Sequence, residues 1–369
     1  MRTGNYGLEW TFLHISDIHS DEKYDVRKVL EKVGRDLLDK GHKPLFILIS
    51  GDIIEGDLNR NIVTKRYKKA CKGLLKLAEI LSVPSEYFMF VPGNHDIFGN
   101  SKDIKIRLQS YSNFIKNFRK MSLKRKRKIK VWDRNGKIGK KGNGDMFYQS
   151  KSQHLTLLTL STVSNLKVTK SNRKVKIEGK PALNNDSLSW LRNEGRKLFA
   201  KENSLKIALM HHSPVVVYYP TEGRAGRAVD ESLFHISCFS ECGISLVFHG
   251  DIHKSQHIAA ARSLDVNTWP IYTVGAGNIS PNKKQRSINF VRVTIPSDAF
   301  LTPDPSNCCQ VEILTYIIGT NGLESDNRST YALYVPLKKI EYEKSKGSCK
   351  GKGTVHALEL PQKRIDLKD

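Results

Sequence analysis

No apolar run in this chain of 369 residues approaches the roughly 20 residues that a membrane span requires. Residues 1–10 lack the apolar core of a secretory signal and lead straight into a strand-like run, so the cytoplasm is the expected compartment. Cysteine is scarce. The six cysteines, at positions 71, 238, 242, 308, 309 and 349, include two adjacent ones and form no disulfide framework. Cys238 and Cys242 would need a second pair to make a structural zinc site, and they read instead as buried helix cysteines. Internal repeats and coiled-coil heptads are also missing, which excludes a repeat architecture. Acidic charge is the last shortage: 37 Asp and Glu stand against 61 Lys and Arg, a net charge of +24.

Part of that excess is concentrated. Between Lys120 and Lys141 eleven Lys and Arg face one acidic residue, Asp133, which accounts for ten of the +24 and leaves +14 elsewhere. A field of this sign attracts polyanions such as nucleic acid, although a solvated insert without a partner has the same composition. The length allows one large α/β domain with insertions, and 39% hydrophobic residues suffice for a full core.

Short apolar runs alternate with helical periodicity, the pattern of βαβ units. Strands are expected at Thr11–Ile15, Leu45–Ile49, Tyr87–Val91, Met146–Ser150, Leu155–Ser161, Ile207–Met210, Ile244–Phe248, Ile271–Val274 and Ile288–Ile295. Helices are expected from Asp25 to Gly41, from about Asn61 to Leu81, through Leu108–Phe118, near Asp186–Ala200 and near Asp230–Glu241. The gly- and lys-rich stretch to Gly144 reads as an exposed loop or hairpin, and Lys167–Lys180 is a second basic stretch. Beyond a turn at Pro303–Asn307, Val311–Ile318 and Tyr331–Val335 are β-like, and a loose tail begins near Lys344.

Five segments hold residues that bind metal: Asp17-Ile18-His19, Gly51-Asp52, Gly93-Asn94-His95-Asp96, His211-His212-Ser213-Pro214 and His249-Gly250-Asp251-Ile252-His253. Four directly follow a buried-strand run, which puts them beyond carboxyl ends, where open α/β sheets form ligand sites. Phosphate-ester hydrolysis needs charge neutralisation and a strong nucleophile at neutral pH. Two divalent ions about 3.5–4 Å apart supply both, and such a pair wants carboxylate oxygen, imidazole nitrogen and a shared carboxylate. Asp17-x-His19 can present two ligands from one strand end, and Asp52 is a single carboxylate suited to bridging.

The order of these motifs resembles the calcineurin-like metallophosphoesterase superfamily, with its D-x-H, G-D, G-N-H-D/E, isolated His and G-H-x-H segments, over roughly Thr11 to Gly277. The resemblance implies a four-layer α/β/β/α sandwich over residues 8–295, with a basic insert at about 120–144 and a β-rich extension with a basic tail at 296–369. It implies two divalent ions (Mn, Fe, Zn or Mg). Asp17, His19 and His253 would hold one; Asn94, His211 and Asp251 would hold the other; Asp52 would bridge. His95 would protonate the leaving oxygen, oriented by Asp96, and His212 is the alternate to His211. Asp251 departs from the pattern, since it stands where the family has the first His of G-H-x-H. It can ligate directly and favour a harder ion, leave the role to His249, or mark a weakened site.

Other polar residues have plainer readings. His14 and His42 are expected to pack or face solvent, and Asp57 to support the loop after Asp52. Arg224 and Arg227, among glycines, can clamp a phosphate or form a solvated loop. The functional expectation is hydrolysis of a phosphodiester or phosphomonoester by a metal-bridging hydroxide. The His-His-Ser-Pro turn is most similar to the cyclic-nucleotide phosphodiesterase-like branch. The alternatives are a metal-dependent nuclease, suggested by the basic insert, and a basic nucleic-acid-binding protein with a weakened site.

Overall fold

A computed structural model describes residues 8–121, 131–132, 146–150, 155–171, 174–183, 185–195, 205–215, 218–219, 224–225, 229, 232–253, 256–260, 271–280, 286–295, 308–326 and 331–336. Most of the basic insert, the Pro303–Asn307 turn and the tail from Lys344 therefore lie outside the described residues.

Two sheets build the fold. In the first, β1 (Leu8–Ile15), β2 (Phe46–Ile49) and β3 (Phe88–Phe90) run parallel, while β15 (Ser287–Ile295) pairs antiparallel with β1. Beyond β15 the sheet continues through β16 (Cys308–Ile318) to β17 (Leu323–Ser325) and β18 (Tyr331–Pro336). The late strands assigned to the extension thus hydrogen-bond directly onto the sheet that carries β1. The second sheet has β6 (Leu155–Thr159), β9 (Leu205–Leu209), β12 (Leu246–His249) and β14 (Ile271–Gly275) in parallel, edged by β13 (Gln256–Ala260), β5 (Met146–Ser150) and β4 (Val131–Trp132).

Strand periodicity decides what lies between them, because alternate side chains point to opposite faces. Phe12, Phe46, Leu48 and Met89 of the first sheet meet Leu157, Ile207, Leu246 and Phe248 of the second in one dry layer. The intervening residues Leu13, Ile15, Ile47, Ile49, Phe88 and Phe90 face the helices α1 (Val26–Asp39), α2 (Arg60–Leu81) and α4 (Gln109–Lys120), the last preceded by a single turn, α3 (Ile104–Arg107). On the far side Leu158, Ala208 and Val247 pack with α6 (Ser232–Glu241) and with Leu191, which follows α5 (Asn185–Trp190). The result is the expected α/β/β/α sandwich.

Local chemistry sets the helix ends. The Asp25 side chain accepts from Arg27 N at 3.1 Å and starts α1, and Asn59 accepts from Asn61 N at 2.9 Å to start α2. Of the helix expected near Asp186–Ala200, α5 covers Asn185–Trp190 and a π-helical turn follows over Leu191–Gly195, while residues 196–200 lie outside the described residues. The close approach of Gly195 to the Trp190 ring accompanies that change of pitch. The basic stretch Lys167–Lys180 contains a hairpin, β7 (Lys167–Ser171) with β8 (Lys174–Glu178). Cys238 and Cys242 are buried thiols in no disulfide, and Cys242 Sγ donates to Leu191 O at 3.3 Å. His14 and His42 are packing residues: His14 Nε2 lies 2.9 Å from Ser50 Oγ, and His42 stacks on Phe290 at 4.2 Å.

Candidate metal centre

The carboxyl ends of five parallel strands converge at the seam between the sheets. Beyond β1 come Asp17 and His19, beyond β2 Asp52 and beyond β3 Asn94; the second sheet supplies His211 after β9, and Asp251 and His253 after β12. Backbone ladders hold the loops in register. Asp17 N donates to Gly51 O at 3.1 Å and His19 N to Asp52 O at 2.9 Å, while Gly250 N donates to His211 O at 2.8 Å.

The backbone here is strained in a selective way. Six described non-glycine residues have positive φ, and five of them are Asp17 (52°), His19 (45°), Asp52 (50°), Asp251 (64°) and His253 (56°). Each such left-handed turn costs on the order of 1 kcal/mol for a residue with a Cβ. The strain sits on residues whose side chains meet. Gly93 completes the arrangement, since a Cβ there would fall on the carboxylate and amide of Asp52.

Four overlapping donor groups result: Asp17, His19 and His253; His19, Glu55 and His95; His211, His212 and Asp251; and Asp17, Asp52 and His211. His253 Nε2 lies 3.1 Å from Asp17 Oδ1, and His19 Nε2 lies 3.6 Å from the same oxygen. Asp52 faces both ways: Oδ1 is 3.5 Å from His211 Nε2, whereas Oδ2 is 3.7 Å from His19 Nε2. His211 Nδ1 donates to Ser50 O at 2.6 Å, so in the neutral ring, the form that can ligate, the lone pair is on Nε2. That lone pair looks at Asn94 Oδ1 (3.0 Å) and Asp251 Oδ1 (3.9 Å), both acceptors. Asp251 is tied across the seam, its amide donating to Asp17 Oδ2 at 3.2 Å.

Acceptors gathered around one space need positive charge among them, which protons on the imidazoles or a bound cation can supply. Asp17 Oδ1 and both ring nitrogens of His19 are buried without hydrogen-bond geometry, despite carboxylates nearby. The titration behaviour agrees. Burial opposes charge on His19 and His211, yet the surrounding carboxylates, chiefly Asp17 for His19 and Asp52 for His211, raise both rings to about 10. Burial likewise disfavours the Asp52 anion, but His211 and His95 hold its pKa far below the usual carboxylate range. Asp251 is raised to about 6, by burial first. The donor set, hard oxygen mixed with imidazole, fits divalent ions.

Two sequence expectations change in detail. Asp96 does not touch His95. Its buried carboxylate accepts from Gly93 N (2.9 Å), Ile53 N (3.1 Å) and Tyr67 Oη (3.0 Å), so it fixes the loops that present Asp52 and Asn94. The partner of His95 is Glu55, with Oε1 3.5 Å from Nδ1, and Glu55 Oε2 is also 2.9 Å from His19 Nδ1. Glu55 was missed; its signal was a carboxylate three residues past Asp52. His249 turns away from the second cluster, its Nδ1 directed at Gly250 O (3.3 Å), and burial lowers it to about 4. His212 Nδ1 pairs with Thr162 Oγ1 at 2.7 Å, which leaves His211 as the ring aimed at Asn94. Asp57 supports its loop as expected, 3.4 Å from Arg66, whose Nη1 also donates to Glu55 O. Arg224 lies in a two-residue strand, its side chain outside the described residues, as is all of Arg227.

The family model for calcineurin-like phosphoesterases matches residues 11–255, and the chain belongs to that family. Membership implies metal-dependent hydrolysis of phosphoesters, and the family uses divalent metals. No curated protein matches the chain by sequence. Among solved structures it is similar to a putative 5′-nucleotidase from Staphylococcus aureus at 11% identity and a TM-score of 0.43, over 90% of this chain and 55% of that one. A purple acid phosphatase from yellow lupin (Lupinus luteus) seeds matches at 9% identity and a TM-score of 0.48, again over 90% and 55%. The GAP50 anchor of the inner membrane complex of Plasmodium matches at 9% and 0.43, over 90% of each chain. The chain thus spans about half the length of the first two. Among the described residues no helix is long and apolar enough to cross a membrane.

Proposed function

We propose that this protein is a dinuclear metal-dependent phosphoesterase acting on a small phosphodiester or phosphomonoester. Asp17, His19 and His253 would hold one ion and Asn94, His211 and Asp251 the other. The observation that carries this reading is Asp52, whose two oxygens address His211 on one side and His19 on the other. A divalent pair bound there would neutralise phosphoryl oxygens and acidify water. His95 supplies the proton. Gly56 N donates to its Nδ1 at 3.2 Å, which puts the ring hydrogen on Nε2, the nitrogen 4.0 Å from Asp52 Oδ2. A second proton on Nδ1 would turn that nitrogen from the Gly56 amide to Glu55 Oε1, 3.5 Å away; burial holds the ring's pKa below the usual imidazole value, so an imidazolium formed there would pass its Nε2 proton to the leaving oxygen and return neutral. Asp96 keeps the ring's loop in place through the amides of Gly93 and Ile53. The substrate class rests on the His211-His212-Ser213-Pro214 turn, and Arg224 and Arg227 are proposed to approach the phosphate.

Metal-loaded protein assayed on chromogenic diesters and monoesters tests this, with Asp52→Asn as control. Turnover that needs the ion and disappears in the variant is expected. Equal turnover with and without chelator would remove the metal-dependent mechanism, and no turnover on either ester would remove the enzyme reading.

A specific feature favours nucleic acid as the polyanion if the substrate is larger. Lys65, Lys68 and Lys72 are exposed along one face of α2, and a cleft of about 300 Å³ is lined by Arg27, Lys72, Met121 and the ion pair of Lys76 with Glu79, among others. Met121 follows α4 directly, at the root of the basic insert. Deleting Lys120–Lys141 should weaken RNA or DNA binding and flatten its salt dependence; unchanged binding returns the insert to a solvated loop.

A further inference from the structure

The two halves of the donor set are chemically unequal, and the inequality comes from Asp251. On the side of Asp17, two imidazoles (His19 and His253) join one carboxylate, and they are already close: 3.1 Å from His253 Nε2 and 3.6 Å from His19 Nε2 to Asp17 Oδ1. His19 is held further by Glu55 at 2.9 Å from its second nitrogen. On the other side His211 joins an amide oxygen and a carboxylate, Asn94 and Asp251; the ring of His212 lies in the same group, but its Nδ1 is engaged by Thr162 Oγ1 at 2.7 Å. That half is also less assembled, with Asp251 Oδ1 still 3.9 Å from His211 Nε2 and its side chain 15% exposed. Imidazole suits zinc and other late first-row ions, whereas an oxygen-rich set suits manganese and magnesium.

We infer that Asp251 makes the centre a mixed one, whose His19/His253 half takes a borderline ion such as Zn²⁺ tightly and whose Asp251 half takes a hard ion, Mn²⁺ or Mg²⁺, more weakly. This rests on the dinuclear reading above. The halves are not independent, because the amide of Asp251 hangs on Asp17 Oδ2 at 3.2 Å. Whatever orders Asp17 in the first half also orders the backbone of the ligand in the second. The first half therefore fills first, and the second responds to the supply of hard ion. Its occupancy is the variable that makes activity depend on Mn²⁺ or Mg²⁺ concentration.

Chelator-stripped protein, titrated calorimetrically with Zn²⁺ and then with Mn²⁺ followed by paramagnetic resonance, tests the inference without an activity assay. The wild type should bind one tight zinc equivalent and then one weaker manganese equivalent. Asp251→His should tighten a second zinc equivalent by about tenfold or more. A left-handed φ of 64° is one that histidine tolerates better than most residues. Asp251→Asn, which keeps the shape and removes the charge, should lose the manganese equivalent and keep the zinc. Thermal melts of both variants check that they fold. Two zinc equivalents of equal affinity in the wild type, or an unchanged zinc isotherm in a folded Asp251→His, would overturn the mixed centre while leaving a dinuclear one standing. Binding of no ion at all by the wild type would instead overturn the dinuclear reading itself.

Discussion

Glu55 Oε2 lies 2.9 Å from Nδ1 of His19, on the side of the ring opposite Asp17 and Asp52. A carboxylate behind a ligating imidazole fixes its tautomer and raises its basicity. Glu55→Gln keeps the size and loses the charge. Metal affinity measured calorimetrically should fall about 10- to 100-fold, with an unchanged circular dichroism spectrum. An unaltered isotherm would show that His19 is oriented by something else.

Asp52 divides its two oxygens between the halves, Oδ1 lying 3.5 Å from His211 Nε2 and Oδ2 3.7 Å from His19 Nε2. Asp52→Asn should lower metal-dependent turnover by about 10³-fold, the order expected when several kcal/mol of transition-state stabilisation are lost. Protein content of bound metal, read by elemental analysis, should drop with it. Full metal content with full activity would contradict the bridging role.

Gly93→Ala puts a methyl group onto Asp52, so the loop after β3 must shift. Overpacking of this kind typically costs about 1–3 kcal/mol. Urea unfolding should report that loss, and turnover should fall further than stability alone explains, because His95 N donates to Asp52 Oδ1 at 2.8 Å. An alanine variant with wild-type kinetics would mean the loop gives way freely.

His42 offers a pH readout away from the centre. Burial first, then the charges of Arg292 and Lys40, lower its pKa to about 4 from the usual 6.5. The folded state binds this proton less readily than the unfolded chain. Its contribution is therefore complete above pH 6.5 and is lost as pH falls from there toward 4, by up to about 3 kcal/mol. Relative to wild type, His42→Gln should show a flatter decline in urea stability between pH 7 and pH 4.5. Parallel curves for the two proteins would rule out His42 as the titrating group.

What could be read from the chain was local. Asp17, His19, Asp52, Asn94 and His253 each follow an apolar run, so strand periodicity and residue chemistry together placed them at one rim. The four layers were legible for the same reason: Phe12 and Leu13, adjacent in sequence, necessarily face different layers. The role of Glu55 was not legible, because it depends on a loop pinned from α2 by Arg66. Nor was that of Asp96, which the resemblance made the orienting partner of His95 and whose carboxylate accepts instead from Gly93 N and Ile53 N. The left-handed backbone of Asp17, Asp52 and Asp251 was invisible too, since aspartate by itself carries no such demand.

The centre straddles the seam: Asp17, Asp52 and Asn94 belong to one sheet, and His211, Asp251 and His253 to the other. Ions held between them would act as rivets, resisting any slide of one sheet over the other. The two sheets must dock before either ligand set is whole. Loaded protein should then yield as a unit, with the centre reporting the alignment of the sheets like a vernier.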